Sequence, residues 1–314
     1  MTRAGEVQLS SSANRGVLGA LAGLAFPRTH QFANWLDAKA ISLGRTSGKW
    51  PPTRIAGWSL FRPREDDIYV ATYLKSGTTL LQMMVYQTVT DGSMDFPHID
   101  CVSPTLEEAL PSRDSLEDCP SPRILKTHLR RESVETIADR GKWLYMIRHP
   151  GDVVVSRYHH NILQRGRDLQ FDSYFEHVSA EPGMWGSWVQ HTRSWWPHRS
   201  DPNVLCLRYD ETVADLRTTV ARVSSFLGKA LTEEEVDRIT HRCSIAYMKQ
   251  YDSKFDPRLR TRLWNPPTFI RAGRSGTWRD LSLEYQSRIN EQITQVAATL
   301  PQDERESFMR LFSD

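Results

Sequence analysis

The sequence predicts a three-layer α/β fold, with helices on both faces of a parallel sheet. Short β-branched runs alternate with segments of helical periodicity along the chain, and this order favours parallel strands joined by crossover helices. Two of the predicted strands run through a short turn directly into a helix. Because ligands of such sheets lie beyond the carboxyl ends of the strands, we expect the functional site at those turns.

The strands are predicted from apolar, β-branched runs bounded by turn residues. They span Asp67–Tyr73, Arg123–Lys126, Trp143–Ile147 and Val204–Arg208. Helical patterns follow three of them, at Thr78–Thr90, Pro150–Gln164 and Val213–Leu227. A further helical segment carries Trp188, His191 and Trp195 on one face, which predicts a packed core stripe, with an aromatic wall of a ligand pocket as the alternative.

The chain divides into an N-terminal extension and one larger domain. Residues 1–14 are polar and Ser-rich, which predicts disorder, and the segment up to residue 53 predicts a helical extension. Residues 54–314 contain no evident linker or repeat, so we expect a single domain. The apolar run Val17–Phe26 is too short for a bilayer span and ends at Pro27. It is interpreted as a short packing helix, with a secretory leader as the alternative, and no stable membrane span is expected.

Composition restricts the classes of partner. The 314 residues include 40 basic and 38 acidic side chains, a formal net charge of +2, so no global positive field favours nucleic acid. An anionic ligand must therefore be held by a local cluster. The four cysteines show no C-x-x-C spacing, and we interpret them as reduced thiols, which fits a cytoplasmic protein.

The first strand leads into a turn that is suited to an anion. The turn reads Lys75-Ser-Gly-Thr-Thr79 and precedes an apolar helix. Backbone N–H groups at a helix N-terminus, together with the helix dipole, attract phosphate. The hydroxyls of Ser76 and Thr78 add donors. The turn does not match the nucleotide-kinase loop G-x-x-x-x-G-K-[ST], because its lysine precedes Gly77.

A second turn repeats this geometry after the third strand. Arg148 stands at the strand end, and Ser156 lies one turn into the following helix. An arginine and a hydroxyl in these places can clamp a second phosphate. Asp152 lies in the first helical turn, where capping and a direct function are equally open.

Five segments, in the same order along the chain, resemble the cytosolic-type sulfotransferase family, whose donor is 3′-phosphoadenosine 5′-phosphosulfate. They are Thr72–Thr79, Leu125–Leu129, Trp143–Ser156, Trp185–Trp196 and Phe269–Arg279. The resemblance implies the P-loop-like sulfotransferase fold and an enzyme that transfers a sulfuryl group to a hydroxyl.

The resemblance also implies a catalytic set of His128, Lys75 and Lys126. His128 stands in a Lys-Thr-His tripeptide, matching the family's general base, which takes the proton of the acceptor hydroxyl. Lys75 would stabilise the leaving 5′-phosphate, and Lys126 belongs to the same tripeptide. No acidic residue follows Lys75 to hold Mg²⁺, so no metal requirement is expected.

The donor-binding set implied by the resemblance spans five parts of the chain. It comprises Lys75, Ser76, Gly77, Thr78, Thr79, Arg148, Ser156, Tyr209, Ser244, Arg271, Ala272 and Gly273. Three positions expected to contact the nucleotide depart from the family pattern: Leu80 replaces an adenine-stacking tryptophan, Cys243 a threonine and Ala272 a lysine. The charged stretch of about residues 251–267 is expected to form a mobile lid.

The expected acceptor is a small or lipid-like compound with a hydroxyl group, and no nucleic acid is expected as a partner. The oligomeric state stays open. Two alternatives compete with the sulfotransferase interpretation. One is a P-loop nucleotide kinase, which the missing glycine–lysine motif argues against. The other is a non-catalytic nucleotide-binding module, which the presence of both Lys75 and His128 argues against.

Overall fold

The computed structural model describes residues 61–90, 94–109, 116–135, 137–165, 170–180, 185–256, 269–271 and 273–313. The predicted N-terminal extension, Ala272 and most of the predicted lid lie outside these residues. Within them, no helix combines the length and the apolar character needed to cross a membrane.

Four parallel strands form the central sheet, as predicted. They are β1 (Ile68–Thr72), β2 (Ile124–Thr127), β3 (Lys142–Ile147) and β4 (Val204–Arg208). Their order across the sheet is β2-β1-β3-β4. Since all four run the same way, their carboxyl ends lie along one edge.

Helices connect and flank the strands. In chain order they are α1 (Thr78–Val89), α2 (Ile99–Val102), α3 (Leu106–Ala109), α4 (Arg131–Val134), α5 (Pro150–Arg165), α6 (Phe171–Ala180), α7 (Trp188–Trp195), α8 (Tyr209–Ala214), α9 (Leu216–Leu227), α10 (Glu233–Arg242), α11 (Ile245–Gln250), α12 (Leu283–Ala297) and α13 (Gln302–Arg310). Short 3₁₀ turns occupy Trp196–His198, Asp252–Lys254 and Thr277–Asp280.

Successive strand residues point to opposite faces of the sheet and build two apolar layers. In β3, Trp143 and Tyr145 belong to a core that includes α7, α12 and α13. Their neighbours Leu144 and Met146 belong to a core that includes α1, α9 and α10. The three-layer arrangement is therefore confirmed.

The aromatic stripe of α7 is a core feature, as predicted. Trp188, His191 and Trp195 are all buried, and the Trp195 ring stacks on Tyr145 at 5.4 Å. Trp185, which precedes the helix, is the aromatic of this segment that faces the ligand cleft.

The predicted helix Val213–Leu227 is wrong at its start. The structure has two helices there, α8 and α9, which are separated at Asp215 with φ −140° and ψ 82°. The Asp215 carboxylate accepts the N–H of Thr218 at 3.0 Å. Because aspartate at an N-cap satisfies a free N–H group, it starts a new helix instead of extending the first.

A buried ion pair fixes the start of the sheet. Arg123 donates from Nε and Nη2 to the two carboxylate oxygens of Asp67, each at 2.7 Å. Both side chains are fully buried. Asp67 also accepts from the Tyr69 hydroxyl and the Arg64 N–H, and Arg123 Nη2 donates to the Arg62 carbonyl.

We predict that Asp67→Ala lowers the free energy of unfolding by about 3–5 kcal/mol, because it leaves the Arg123 charge buried without its partner. Urea unfolding measures the change. Glu65→Ala is the matched control, since it breaks a 2.8 Å ion pair with Arg140 that is exposed on both sides and should stay near wild type. Equal losses in both variants would contradict the prediction.

Candidate active site

The turn between β1 and α1 has an unusual backbone. Lys75 has φ +63°, which is rare for a residue with a side chain, and Gly77 has φ +103°. A Cβ on Gly77 would lie 2.6 Å from the Tyr209 ring and 2.7 Å from the Met146 sulfur, so only glycine fits. Among the described residues, no side chain caps α1, and its first N–H groups are therefore available to an anion.

The turn also carries polar side chains. The Ser76 hydroxyl is fully buried and makes no hydrogen bond within the described part of the chain. Thr78 Oγ1 lies 2.6 Å from Thr72 Oγ1, and Lys75 Nζ lies 4.6 Å from the centre of the Phe269 ring. A buried hydroxyl without a partner is costly, so this turn suits an oxygen-rich ligand that supplies one.

Arg148 connects the second turn to the first. Its Nη1 donates to the Lys75 carbonyl and its Nη2 to the Arg274 carbonyl, both at 3.0 Å. The guanidinium lies 4.0 Å from the centre of the Tyr209 ring. Its Nε is buried without a hydrogen bond among the described residues, which leaves a donor for a ligand.

A second arginine shares this part of the cleft. Burial, followed by the charge of Arg148, lowers the pKa of Arg271 from its ordinary value, and Arg271 Nη1 is also buried without a hydrogen bond in the described region. Ser156 of α5 and Gly273 line the same wall. Two like charges held together are stabilised by an anion between them.

Asp152 ties the loop before the last 3₁₀ turn to the start of α5. Its Oδ2 accepts from the Ser275 hydroxyl at 2.9 Å and the Gly276 N–H at 2.8 Å, and its Oδ1 accepts from the Thr277 hydroxyl at 2.9 Å. Asp152 is fully buried. Its role is therefore to hold the loop that carries Gly273.

His149 stabilises the turn that follows β3. Its Nδ1 accepts from the Gly151 N–H at 3.1 Å, and its ring stacks on Trp278 at 4.2 Å. The stacking gives the C-terminal loop a second contact with the start of α5.

His128 lies just past the end of β2, in the wall of the cleft. Its Nδ1 lies 2.9 Å from the Thr72 carbonyl oxygen. A carbonyl only accepts, so Nδ1 carries the proton and Nε2 keeps its lone pair. The backbone N–H of His128 donates to Glu107 at 2.7 Å, and its ring contacts the Trp185 ring edge-to-face at 5.7 Å.

Several groups set the protonation of His128. Burial lowers its pKa to about 4, and the charges of Lys126 and Lys75 act in the same direction. The Thr72 carbonyl and the Asp100 carboxylate oppose them. The imidazole is therefore neutral at pH 7 and able to accept a proton.

Lys126 is partnered at the cleft by a carboxylate. Its Nζ lies 2.6 Å from Asp100 Oδ1, and both side chains are largely buried. Asp100 lies in α2, whose N-cap His98 accepts the Asp100 N–H at its own Nδ1. The pair holds the Lys126 ammonium beside His128 and offsets its charge.

One cleft of about 460 Å³ brings the predicted residues together. Lining it are Lys75, Gly77, Thr78, Thr79, Lys126, His128, Arg148, Ser156, Tyr209, Arg271 and Gly273. Ser76 lies buried under the turn.

Ser244 caps α11 by accepting the Tyr247 N–H at 3.2 Å, and its neighbour Ile245 lines the cleft instead. Contact between Ser244 and a ligand stays a prediction.

Sequence reasoning assigned no site role to several wall residues. They are Leu74, Gln82, Arg157, His160, Asn161, Trp185, Ile245, Met248, Phe269, Ile270, Arg274 and Thr277. Helical spacing in the sequence could have indicated some of them, since Asp152, Ser156 and His160 recur every four residues along α5 and share one face.

Among the described residues, no cluster of three or more His, Cys, Asp or Glu side chains is suited to a metal ion.

Comparison with known proteins identifies the family of this chain. Residues 65–301 match the family model described as "Sulfotransferase domain". The chain belongs to the sulfotransferase family. The predictions of family, fold class and enzyme class are thereby confirmed, and the nucleotide-kinase alternative is set aside.

Two relatives illustrate how far the similarity of this sulfotransferase extends. It is 32% identical over 234 residues to sulfotransferase 1B1 of Mus musculus, covering 70% of this chain and 78% of the relative. It is 31% identical over 236 residues to sulfotransferase 1E1 of Homo sapiens, covering 70% and 79%.

Solved structures share the fold. Retinol dehydratase in a complex with retinol and PAP has a TM-score of 0.66 and 24% identity, covering 76% of this chain and 83% of that one. Mouse sulfotransferase SULT7A1 complexed with PAP has a TM-score of 0.62 and 23% identity, covering 81% and 92%.

We predict that His128 in the unliganded protein stays neutral on acidification until well below the pKa of an ordinary histidine, about 6.5. Burial disfavours the imidazolium, so its ring-proton NMR signals should hold their neutral positions from pH 8 down to about pH 5.5. The His128→Gln spectrum assigns those signals. A titration midpoint between about pH 6 and 7 would contradict the burial argument.

Proposed function

We propose that this sulfotransferase transfers a sulfuryl group from 3′-phosphoadenosine 5′-phosphosulfate to the hydroxyl of a small molecule, with His128 as general base. The observation that carries the proposal is the fixed tautomer of His128, which leaves Nε2 unprotonated. His128 lines the same cleft as the turn at Lys75. PAP, the desulfated nucleotide, is present in the structural neighbours named above.

The residues present fit such a donor. The Lys75 turn, with its uncapped helix and unpartnered Ser76 hydroxyl, suits the 5′-phosphosulfate. Arg148 and Arg271 each offer a buried N–H without a partner among the described residues, which suits the 3′-phosphate.

The adenine would pack on aliphatic side chains. Leu80 and Ile245 both line the cleft, and Ile245 lies so close to Gly273 that a Cβ there would come within 2.3 Å of it. Leu80 thus stands in place of the tryptophan of the family pattern. Aliphatic packing selects an aromatic base less strongly than stacking on a tryptophan ring does. Tyr209 would bind beside the adenosine with Arg148 on its ring.

The chemistry follows from the placement of charge. The donor supplies the sulfuryl group, whose bond to the 5′-phosphate oxygen breaks as its bond to the acceptor oxygen forms. His128 Nε2 accepts the proton of the acceptor hydroxyl. Lys75 and the N–H groups of the turn neutralise the charge left on the 5′-phosphate. Lys126, held by Asp100, lines the cleft beside His128 with its charge offset by the carboxylate.

The acceptor is a small molecule with a hydroxyl and an apolar part. Retinol and androsterone are bound by structural neighbours, and Leu74, Trp185 and Phe269 provide apolar wall here. A lipid-like acceptor fits that wall. The four free cysteines of this chain fit a reducing compartment such as the cytoplasm.

We predict that His128→Gln lowers kcat by about 10²–10⁴-fold, because the amide cannot accept the proton. The dissociation constant of PAP, measured by calorimetry, should remain close to that of the wild type. His177→Gln is the matched control, because His177 is an exposed residue of α6. Near-wild-type turnover of His128→Gln would overturn the proposed role of His128.

We predict that Asp152→Asn weakens PAP binding by about 10-fold or more, since an amide cannot accept all three hydrogen bonds that a buried carboxylate accepts. The loop that carries Gly273 and Arg274 would lose its anchor. Calorimetry with PAP measures the change, and Asp237→Asn, on the exposed face of α10, is the control. Equal affinity in Asp152→Asn and wild type would show that the loop holds its place without this carboxylate.

A further inference from the structure

Arg157 of α5 belongs to the part of the cleft that surrounds His128. Its Nη1 donates to the Tyr73 hydroxyl at 2.9 Å, and that hydroxyl donates to the Gly186 carbonyl at 3.1 Å. Gly186 follows Trp185, whose ring contacts the His128 ring. A continuous set of contacts therefore links the Arg157 guanidinium to the proposed base, and both line the same cleft.

The charge of Arg157 has no acidic partner within 4.0 Å in the part of the chain that the structure describes. Its partner is the neutral phenol of Tyr73, whose pKa burial raises although the nearby guanidinium opposes the shift. Lys126, the other cation near His128, is paired with Asp100 at 2.6 Å. Arg157 thus presents an unneutralised positive charge to the cleft.

The donor already has its own cations. In the proposed function, Lys75 serves the 5′ side, and Arg148 and Arg271 serve the 3′-phosphate. Arg157 follows Ser156 directly in sequence, but successive helical residues point about 100° apart. Its contact with Tyr73 directs it to the side of the Lys75 turn where Trp185 lies. Asn161, which donates to the Arg157 carbonyl at 3.1 Å, adds a polar group to the same wall.

We propose that the acceptor carries an anionic group, of the carboxylate or related oxyacid class, which Arg157 binds while the acceptor hydroxyl faces His128. A guanidinium recognises such groups through paired, charge-assisted hydrogen bonds, and Tyr73 fixes one of its nitrogens in advance. The apolar wall binds the middle of the molecule. This inference rests on the proposed function and narrows its acceptor class.

The test uses matched acceptors that differ only in charge. The probes are para-hydroxybenzoate, para-hydroxyphenylacetate and para-hydroxyphenylpropanoate, each beside its methyl ester, with labelled donor. In the wild type, kcat/KM should favour at least one acid over its ester. Arg157→Gln should lower that acid-to-ester ratio by about 10- to 100-fold, the range for a hydrogen bond to a charged group, mainly through KM.

Two further variants separate recognition from damage to the fold. Arg157→Lys keeps the charge and should restore part of the ratio. Arg193→Gln removes an exposed arginine of α7 and should leave the ratio at the wild-type value. An acid-to-ester ratio that is the same in Arg157→Gln and wild type would overturn the inference. A loss confined to the KM of the donor would also overturn it, because Arg157 would then serve the donor.

A binding measurement keeps this inference distinct from the proposed function. Calorimetry with the same acids and esters, on protein saturated with PAP, needs no turnover. If an acid binds more tightly than its methyl ester and Arg157→Gln abolishes this difference, the anionic acceptor is supported even if sulfation fails. Sulfation of acids and esters alike, with equal binding, leaves the proposed function standing and refutes the anionic acceptor.

Discussion

The site depends on the position of the Arg148 guanidinium. It donates to the carbonyl of Lys75 in the first turn and to the carbonyl of Arg274 in the C-terminal loop, while its plane packs on Tyr209. These contacts join segments that are more than 70 residues apart on one side and more than 120 on the other. A neutral side chain could make similar backbone contacts, but only a cation does so while leaving positive charge for a phosphate. The structural role of Arg148 and its proposed role in phosphate binding therefore depend on the same guanidinium.

Buried carboxylates hold the cationic parts of the cleft in place. Asp152 anchors the loop beside the proposed 3′-phosphate site through three hydrogen bonds, and Asp100 holds the Lys126 ammonium near His128. Neither carboxylate needs to touch a ligand in order to matter. Each lowers the repulsion among neighbouring cations, which would otherwise destabilise the empty cleft. Asp152 had two open roles at the level of sequence, and its contacts favour the anchoring one.

The sheet and both anion turns could be predicted from the sequence, because strand periodicity and turn residues are local signals. The side chains that form the wall of the cleft could not be predicted in the same way. Arg157 and Ser156 are adjacent, yet their contacts differ, since the Tyr73 hydroxyl that receives Arg157 comes from a distant segment. Ser244 caps a helix while Ile245 reaches the cleft, a difference of one residue that only packing decides. Local pattern therefore finds the turns, and tertiary contacts decide which side chains face the ligand.

Positive charge in this sulfotransferase is a property of the cleft and not of the whole chain, whose formal net charge is only +2. Three cations near the site have different partners: Lys126 has a carboxylate, Arg148 has two carbonyls and Arg157 has a phenol. The difference matters because a carboxylate cancels charge, whereas carbonyls and phenols orient a cation without cancelling it. Arg148 and Arg157 therefore keep positive charge, which in the proposals above serves the donor and the acceptor respectively. Burial keeps His128 neutral, so the proposed base stays able to accept a proton beside these cations.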